Sequence, residues 1–194
     1  MLKKIPNILT IGRIIIVPFF VLAFYLPGFY GDLTAFALFL IASFTDFLDG
    51  MLARMLGEES KLGELLDPIA DKIIVATALI LLVMSGTIKH YEVIAAIIIL
   101  TREILISGLR EFLAKGSITM QVTSLSKLKT FIQMIAIAIL LTGESGNIII
   151  NFQDYNAQTV GIILLWLSAF LTLYTGYDYL LKGIDYAIKE DNKN

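Results

Sequence analysis

Residues 45–72 read TDFLDGMLARMLGEESKLGELLDPIADK. Four aspartates, Asp46, Asp49, Asp67 and Asp71, lie here in a chain of 194 residues that is 57% hydrophobic. Long apolar blocks lead into this stretch and away from it. The fold must therefore hold four carboxylates inside or beside hydrocarbon, where an ionised group is costly unless it is paired or bound.

Helical phase explains how they can be held together. At 100° per residue, Asp46, Asp49, Gly50 and Ala53 fall within about 100° of arc, and Gly63, Asp67 and Asp71 within about 80°. Two neighbouring helices joined by a short turn can then aim all four carboxylates at one point. Gly50, Ala53 and Gly63 share those faces, and small residues let a second helix or a flat ligand come close. Clustered carboxylates need protons or cations to neutralise them. An all-oxygen donor set suits hard divalent ions, Mg²⁺ or Mn²⁺, and two such ions can clamp a phosphorus centre. The bland alternative pairs these acids with Arg54, Lys61 and Lys72 at helix ends, but that does not readily explain four acids on matching faces. Pro68, inside the second helix, removes the partner of the Glu64 carbonyl. It serves either as a simple kink or as a device that aims Asp67 and Asp71.

Outward from this stretch the chain divides into six apolar blocks, at roughly 8–26, 33–54, 63–85, 91–113, 125–142 and 158–182, each near the ~20 residues that cross a bilayer. Backbone groups in hydrocarbon are satisfied only in helices or closed barrels, and these blocks are too long and uniform for barrel strands. The expected fold is all-α: a bundle of six transmembrane helices forming one membrane domain over residues 1–194, with a short interfacial segment at about 1–8. The opening run lacks a small-x-small cleavage site and is interrupted by Arg13, so it is expected to remain as the first helix. With six spans both termini share a side. That side collects Lys3, Lys4, Arg54, Lys61, Arg110, Lys115, Lys127, Lys182, Lys189 and Lys193, against Lys89 and little more opposite. The basic side, with the aspartates, is expected to face the cytoplasm in a multi-pass cell-membrane protein. The net charge is −2 and there are no cysteines. The lack of cysteine leaves no disulfide, thiolate site or cysteine nucleophile; the charge argues neither for nor against a charged partner, and no nucleic acid is expected among the partners. The one histidine, His90, stands in a polar break and reads as an interfacial residue.

With the spacing in view, the stretch resembles the signature of the CDP-alcohol phosphotransferase family, D-x2-D-G-x2-A-R-x8-G-x3-D-x3-D. Asp46, Asp49, Gly50, Ala53, Arg54, Gly63, Asp67 and Asp71 match every fixed position. The resemblance implies a six-helix membrane enzyme, commonly a homodimer among membrane lipids, in which an alcohol attacks a CDP-linked lipid and CMP leaves. It implies that Asp46, Asp49 and Asp67 bind metal with Asp71 nearby, and that Asp71 is the general base. Asp46, Asp49, Asp67 and Arg54 are then expected around the CDP moiety, with Gly50, Ala53 and Gly63 as the floor beneath the cytidine. No covalent intermediate is needed, and direct displacement is expected.

Other segments bear on the acceptor. TREI and LREFLA carry Arg102, Glu103, Arg110 and Glu111, and K-x-K-T-x2-Q carries Lys127, Lys129, Thr130 and Gln133. Cations near a cytoplasmic pocket suit a phosphorylated alcohol; positive-inside topology with Arg–Glu pairs is the plain alternative. With PN-x-LT-x2-R near the start (Pro6, Asn7, Leu9, Thr10, Arg13), these runs resemble the branch of the family that uses sn-glycerol 3-phosphate with CDP-diacylglycerol. Arg110, Lys127, Lys129, Thr10 and Arg13 are therefore expected around the acceptor phosphate; Asn7, Thr10 and Arg13 could also serve a nucleotide phosphate, and Asn7 or Thr10 could merely cap a helix. Two readings stand beside this one. The first is a family member with another acceptor: inositol phosphate, serine or phosphatidylglycerol. The second is an acid-lined divalent cation carrier, which leaves the spacing and the small residues unexplained.

Overall fold

The computed structural model describes residues 5–56, 61–115, 123–146 and 156–191, and these are all helix, turn and short connections. Six α-helices occur among them: α1 (Ile5–Phe24), α2 (Phe29–Leu56), α3 (Lys61–Met84), α4 (Glu92–Lys115), α5 (Ser124–Leu141) and α6 (Ala157–Asp191), with a short 3₁₀ turn at Gly143–Ser145. Local chemistry sets several boundaries. Gly28 (φ 70°) and Gly86 (φ 76°) supply the left-handed backbone that turns the chain after α1 and α3. Thr123 caps α5, its hydroxyl accepting the Ser126 N–H at 3.2 Å. Asn156 does the same for α6, its side-chain oxygen taking the Thr159 N–H at 2.8 Å. Pro68 is accommodated inside α3, which runs unbroken from Lys61 to Met84.

The helices form two groups. α1 packs on α2 and α3, while α6 packs on α5 and α4, and contacts of α2 with α5 and of α3 with α4 and α5 join the groups. One apolar core runs through all six, with Phe20, Phe39, Leu82, Ile99, Ile137 and Leu165 fully buried. The Phe20 and Phe39 rings lie 6.3 Å apart between centroids. Three glycines set how closely α6 approaches its neighbours. A Cβ added at Gly161 would lie 2.7 Å from Leu140 Cδ2, one at Gly176 3.1 Å from Arg102 Cγ, and one at Gly183 would overlap Leu109 Cδ1. Small residues on α6 therefore let α5 and α4 come in close.

The six-span expectation, with the placement of both termini that depended on it, is not met. Among the described residues three helices have stretches long and apolar enough to cross a membrane: Phe29–Asp46, Ser124–Leu141 and Ala157–Tyr186. The apolar part of α1 is the shorter run Leu9–Phe24. Asp67, Asp71 and Lys72 charge the N-terminal half of α3, and Arg102 with Glu103 divides α4 near its middle. A block average hides such interruptions, whereas each charge adds a cost to a hydrocarbon-spanning helix. Three spans make this a multi-pass membrane protein. Outward-facing Phe19, Leu22, Phe44, Phe131 and Phe170 are more than half exposed on the chain, which suits a lipid surround.

Candidate active site

The site begins where α1, α2 and α3 meet. Arg13 on α1 is 1% exposed. Its Nη1 donates to Asp46 Oδ1 on α2 at 2.6 Å and also to Asp71 Oδ1 on α3. Two carboxylate oxygens from residues 25 positions apart thus converge on one cationic nitrogen, which the helical phases allow. Both carboxylates stay about half exposed (46%), so the pair opens outward while its counterion is buried beneath. Asp71 lies outside the three spans. Desolvation by the surrounding protein, followed by the hydrogen bond and charge of Asp46, pushes its carboxyl up to about 8, although one side of it remains open; Arg13 and Lys72 pull the other way. Thr10, also buried, lies one turn before Arg13 on the same helix face. Arg13, expected with Thr10 beside an acceptor or nucleotide phosphate, contacts the aspartates Asp46 and Asp71.

Asp49, Gly50, Ala53 and Arg54 fall within α2, and Gly63 and Asp67 within α3, but their side chains lie outside the described residues. The side chain of Asn7 does too. Among the described residues no three acidic or histidine side chains gather at one point. The donor chemistry that is described nevertheless fits a divalent ion. Asp46 and Asp71 bring two hard oxygens close enough to share one cation, and Arg13 is the cation they share.

A second polar centre lies among α4, α5 and α6. Lys129 on α5, 3% exposed, donates to Glu103 Oε1 on α4. Arg102 Nη1 reaches the same oxygen at 3.4 Å, and Arg102 Nη2 donates to Thr175 Oγ1 on α6 at 3.2 Å. Burial pushes the Glu103 carboxyl up, but the charge and hydrogen bond of Lys129, followed by the charge of Arg102, outweigh it and hold the group below its ordinary value. Arg110 is exposed, and its Nη2 donates to Tyr179 Oη on α6 at 3.3 Å. Among the described residues no carboxylate lies within ion-pairing distance of Arg110. Lys127 is exposed, in contrast to Lys129 two residues on. Three polar atoms buried around this centre have no hydrogen-bond partner among the described residues: Arg102 Nε, Gln133 Oε1 and Thr172 Oγ1. Such atoms are uncommon in a finished interior and are ordinarily met by water or by a ligand.

Sequence reasoning named Arg110, Lys127 and Lys129 here but missed the residues of α6. Thr172, Thr175 and Tyr179 recur at intervals of three and four, so they form one helical stripe. In an apolar helix that polar stripe was the available signal.

With this geometry in place, the comparisons with known proteins are specific. A family profile described as CDP-alcohol phosphatidyltransferase matches residues 3–174. A Rickettsia felis protein named CDP-diacylglycerol–glycerol-3-phosphate 3-phosphatidyltransferase is 42% identical over 177 residues, covering 91% of this chain and 93% of its own. The protein of that name from Rickettsia typhi is 43% identical over 178 residues, covering 92% and 96%. One from Shigella flexneri is 38% identical over 183 residues, covering 91% and 93%. The profile match reaches into α6, ending before Thr175 and Tyr179, and by it and these relatives the chain belongs to the CDP-alcohol phosphatidyltransferase family.

Proposed function

We propose that this chain transfers the phosphatidyl group of CDP-diacylglycerol to sn-glycerol 3-phosphate, giving phosphatidylglycerophosphate and CMP, and acts as one membrane domain. The observation that carries the reading is the similarity, over about nine-tenths of the chain, to relatives that bear the name of this reaction. The two polar centres support it, because an acid pair and a cluster of cations are what a nucleotide–lipid donor and a phosphorylated acceptor require.

In this reading Asp46, Asp49, Asp67 and Asp71 hold a divalent cation, Mg²⁺ or Mn²⁺ and as many as two ions. Such ions, when bound, neutralise the pyrophosphate and the leaving CMP. Gly50, Ala53 and Gly63 form the floor for the cytidine, with Arg54 at its edge. Asp71 takes the proton of the attacking hydroxyl, the chain offering no cysteine for that role. The hydroxyl oxygen bonds to the phosphorus that carries diacylglycerol. The bond from that phosphorus to CMP breaks, and CMP leaves with the electron pair. Arg110 and Lys129 receive the acceptor phosphate, and exposed Lys127 draws it toward them. Arg13, with Thr10 beside it, belongs to the aspartate centre, where it fixes the spacing of Asp46 and Asp71. The site faces the cytoplasm, the lipid tails enter sideways from the membrane, and the working unit is a homodimer.

The test is CMP release by purified protein supplied with CDP-diacylglycerol and Mg²⁺. Glycerol 3-phosphate, inositol phosphate, serine and phosphatidylglycerol are offered one at a time. Release driven by glycerol 3-phosphate and stopped by chelator is the expected result. Release driven by another alcohol keeps the aspartate chemistry and overturns the acceptor. Folded protein that releases no CMP with any of them, but carries Mn²⁺ across a vesicle membrane, turns the reading to a cation carrier.

A further inference from the structure

Tyr179 has no role in the reaction as drawn above, yet two cations of the second centre, Arg102 and Arg110, approach its ring. It is 3% exposed on α6. The Arg110 Cζ lies 5.1 Å from the centroid of its ring and the Arg102 Cζ 5.9 Å. Both are within the distance at which a guanidinium is held by the electron-rich face of an aromatic ring. The Tyr179 hydroxyl also accepts a hydrogen bond from Arg110 Nη2 at 3.3 Å. One turn earlier, Gly176 leaves room for the stem of Arg102, since an added Cβ would lie 3.1 Å from Arg102 Cγ and 3.4 Å from its Nε. α6 thus offers α4 a gap and then a ring, and one arginine sits in the first while both approach the second.

The two arginines differ in what else holds them. Arg102 is tied to Glu103 and Thr175. Arg110, exposed and without a described carboxylate partner, has Tyr179 as its anchor. A long flexible side chain loses freedom whenever it binds, so anchoring it in advance lowers the cost of binding an anion. The ring cannot neutralise the guanidinium as a carboxylate would, so the positive charge stays available. We infer that Tyr179 is a positioning residue that presents the Arg110 guanidinium, with its charge unspent, to the phosphate of the acceptor. This rests on the reaction proposed above.

The experiment compares Tyr179→Phe, which keeps the ring and removes the hydroxyl, with Tyr179→Leu, which removes both. KM for glycerol 3-phosphate, KM for CDP-diacylglycerol, kcat and the thermal midpoint in detergent are measured on the full chain. Tyr179→Phe should raise KM for glycerol 3-phosphate about 2–5-fold and Tyr179→Leu about tenfold or more, with KM for CDP-diacylglycerol within about twofold of the parent. In an Arg110→Ala background, Tyr179→Leu should add less than about twofold, because the residue acts through Arg110. Equal rises in both KM values, a fall in kcat alone, or effects that multiply with Arg110→Ala would overturn the inference. If Tyr179→Leu does not fold, Tyr179→Phe decides, and an unchanged KM for glycerol 3-phosphate in it is the refuting result. A parent protein whose CMP release ignores glycerol 3-phosphate would instead refute the reaction. The two failures are therefore distinguishable.

Discussion

The two polar centres are built with opposite charge balances. Between α1, α2 and α3 one guanidinium, Arg13, serves two described carboxylates, Asp46 and Asp71. Between α4, α5 and α6 one carboxylate, Glu103, serves Lys129 and Arg102, with Arg110 close by on Tyr179. Each centre carries a counterion of the minority sign that links its helices. The first is left with an appetite for cations and the second with one for anions. A charge buried without any partner would be prohibitively costly, and a fully paired one would bind nothing.

The sharpest way to break the comparison is to remove the acid assigned to proton transfer. Asp71→Asn keeps the size of the side chain and a hydrogen-bonding oxygen for Arg13 but cannot take a proton. Turnover should fall about 10²–10⁴-fold, with the helical circular dichroism and thermal midpoint close to those of the parent. CMP release at the parental rate would remove Asp71 from the mechanism.

Arg13 tests which centre a residue belongs to. The N-terminal pattern it shares with Thr10 pointed to an acceptor or nucleotide phosphate, and its described contacts include Asp46 and Asp71. Arg13→Gln should reduce kcat about 10–100-fold and shift the Mg²⁺ concentration that gives half-maximal activity, while KM for glycerol 3-phosphate stays within about twofold. A rise confined to that KM would return Arg13 to the acceptor pocket.

Arg13 also marks the limit of what could be read from the sequence. The aspartate spacing was legible because helical geometry converts a linear pattern into a face, and Asp46 and Asp71 do meet. All six helices were legible as apolar blocks, but their number of spans was not. Asp71 and Lys72 in α3, and Arg102 and Glu103 in α4, cost little in a block average and much in a bilayer. α6 runs on to Asp191, past the expected end near 182, because apolarity fades there without any proline to stop the hydrogen-bond ladder. The Arg13 contacts span 33 and 58 positions, and the Arg110–Tyr179 contact spans 69. No local period encodes such partners, so tertiary pairing stayed hidden where local spacing did not.

Glu103 probes the minority charge of the second centre. Glu103→Gln leaves Lys129, buried on α5, facing a neutral amide, with Arg102 beside it. Two like charges then confront each other without their shared acceptor. Stability should fall by about 1–2 kcal/mol, seen as a lower thermal midpoint in detergent. An unchanged midpoint would mean that the Lys129–Glu103 contact contributes no net stability and that apolar packing alone holds α4 to α5.

The smallest expected effect separates two lysines that the sequence presents as equals. Lys127 and Lys129 lie two residues apart on α5, so they point about 200° apart. Lys129 is buried against Glu103, while Lys127 is exposed. An exposed ammonium on a flexible stem is screened by water and salt, and it acts on an anion mainly by raising its local concentration. Lys127→Ala should therefore raise KM for glycerol 3-phosphate by less than about threefold at physiological ionic strength, and by more when salt is lowered. A rise that matched Arg110→Ala and did not respond to salt would require Lys127 to touch the phosphate directly. The acceptor would then sit outside the buried network of α4, α5 and α6, against its outer rim.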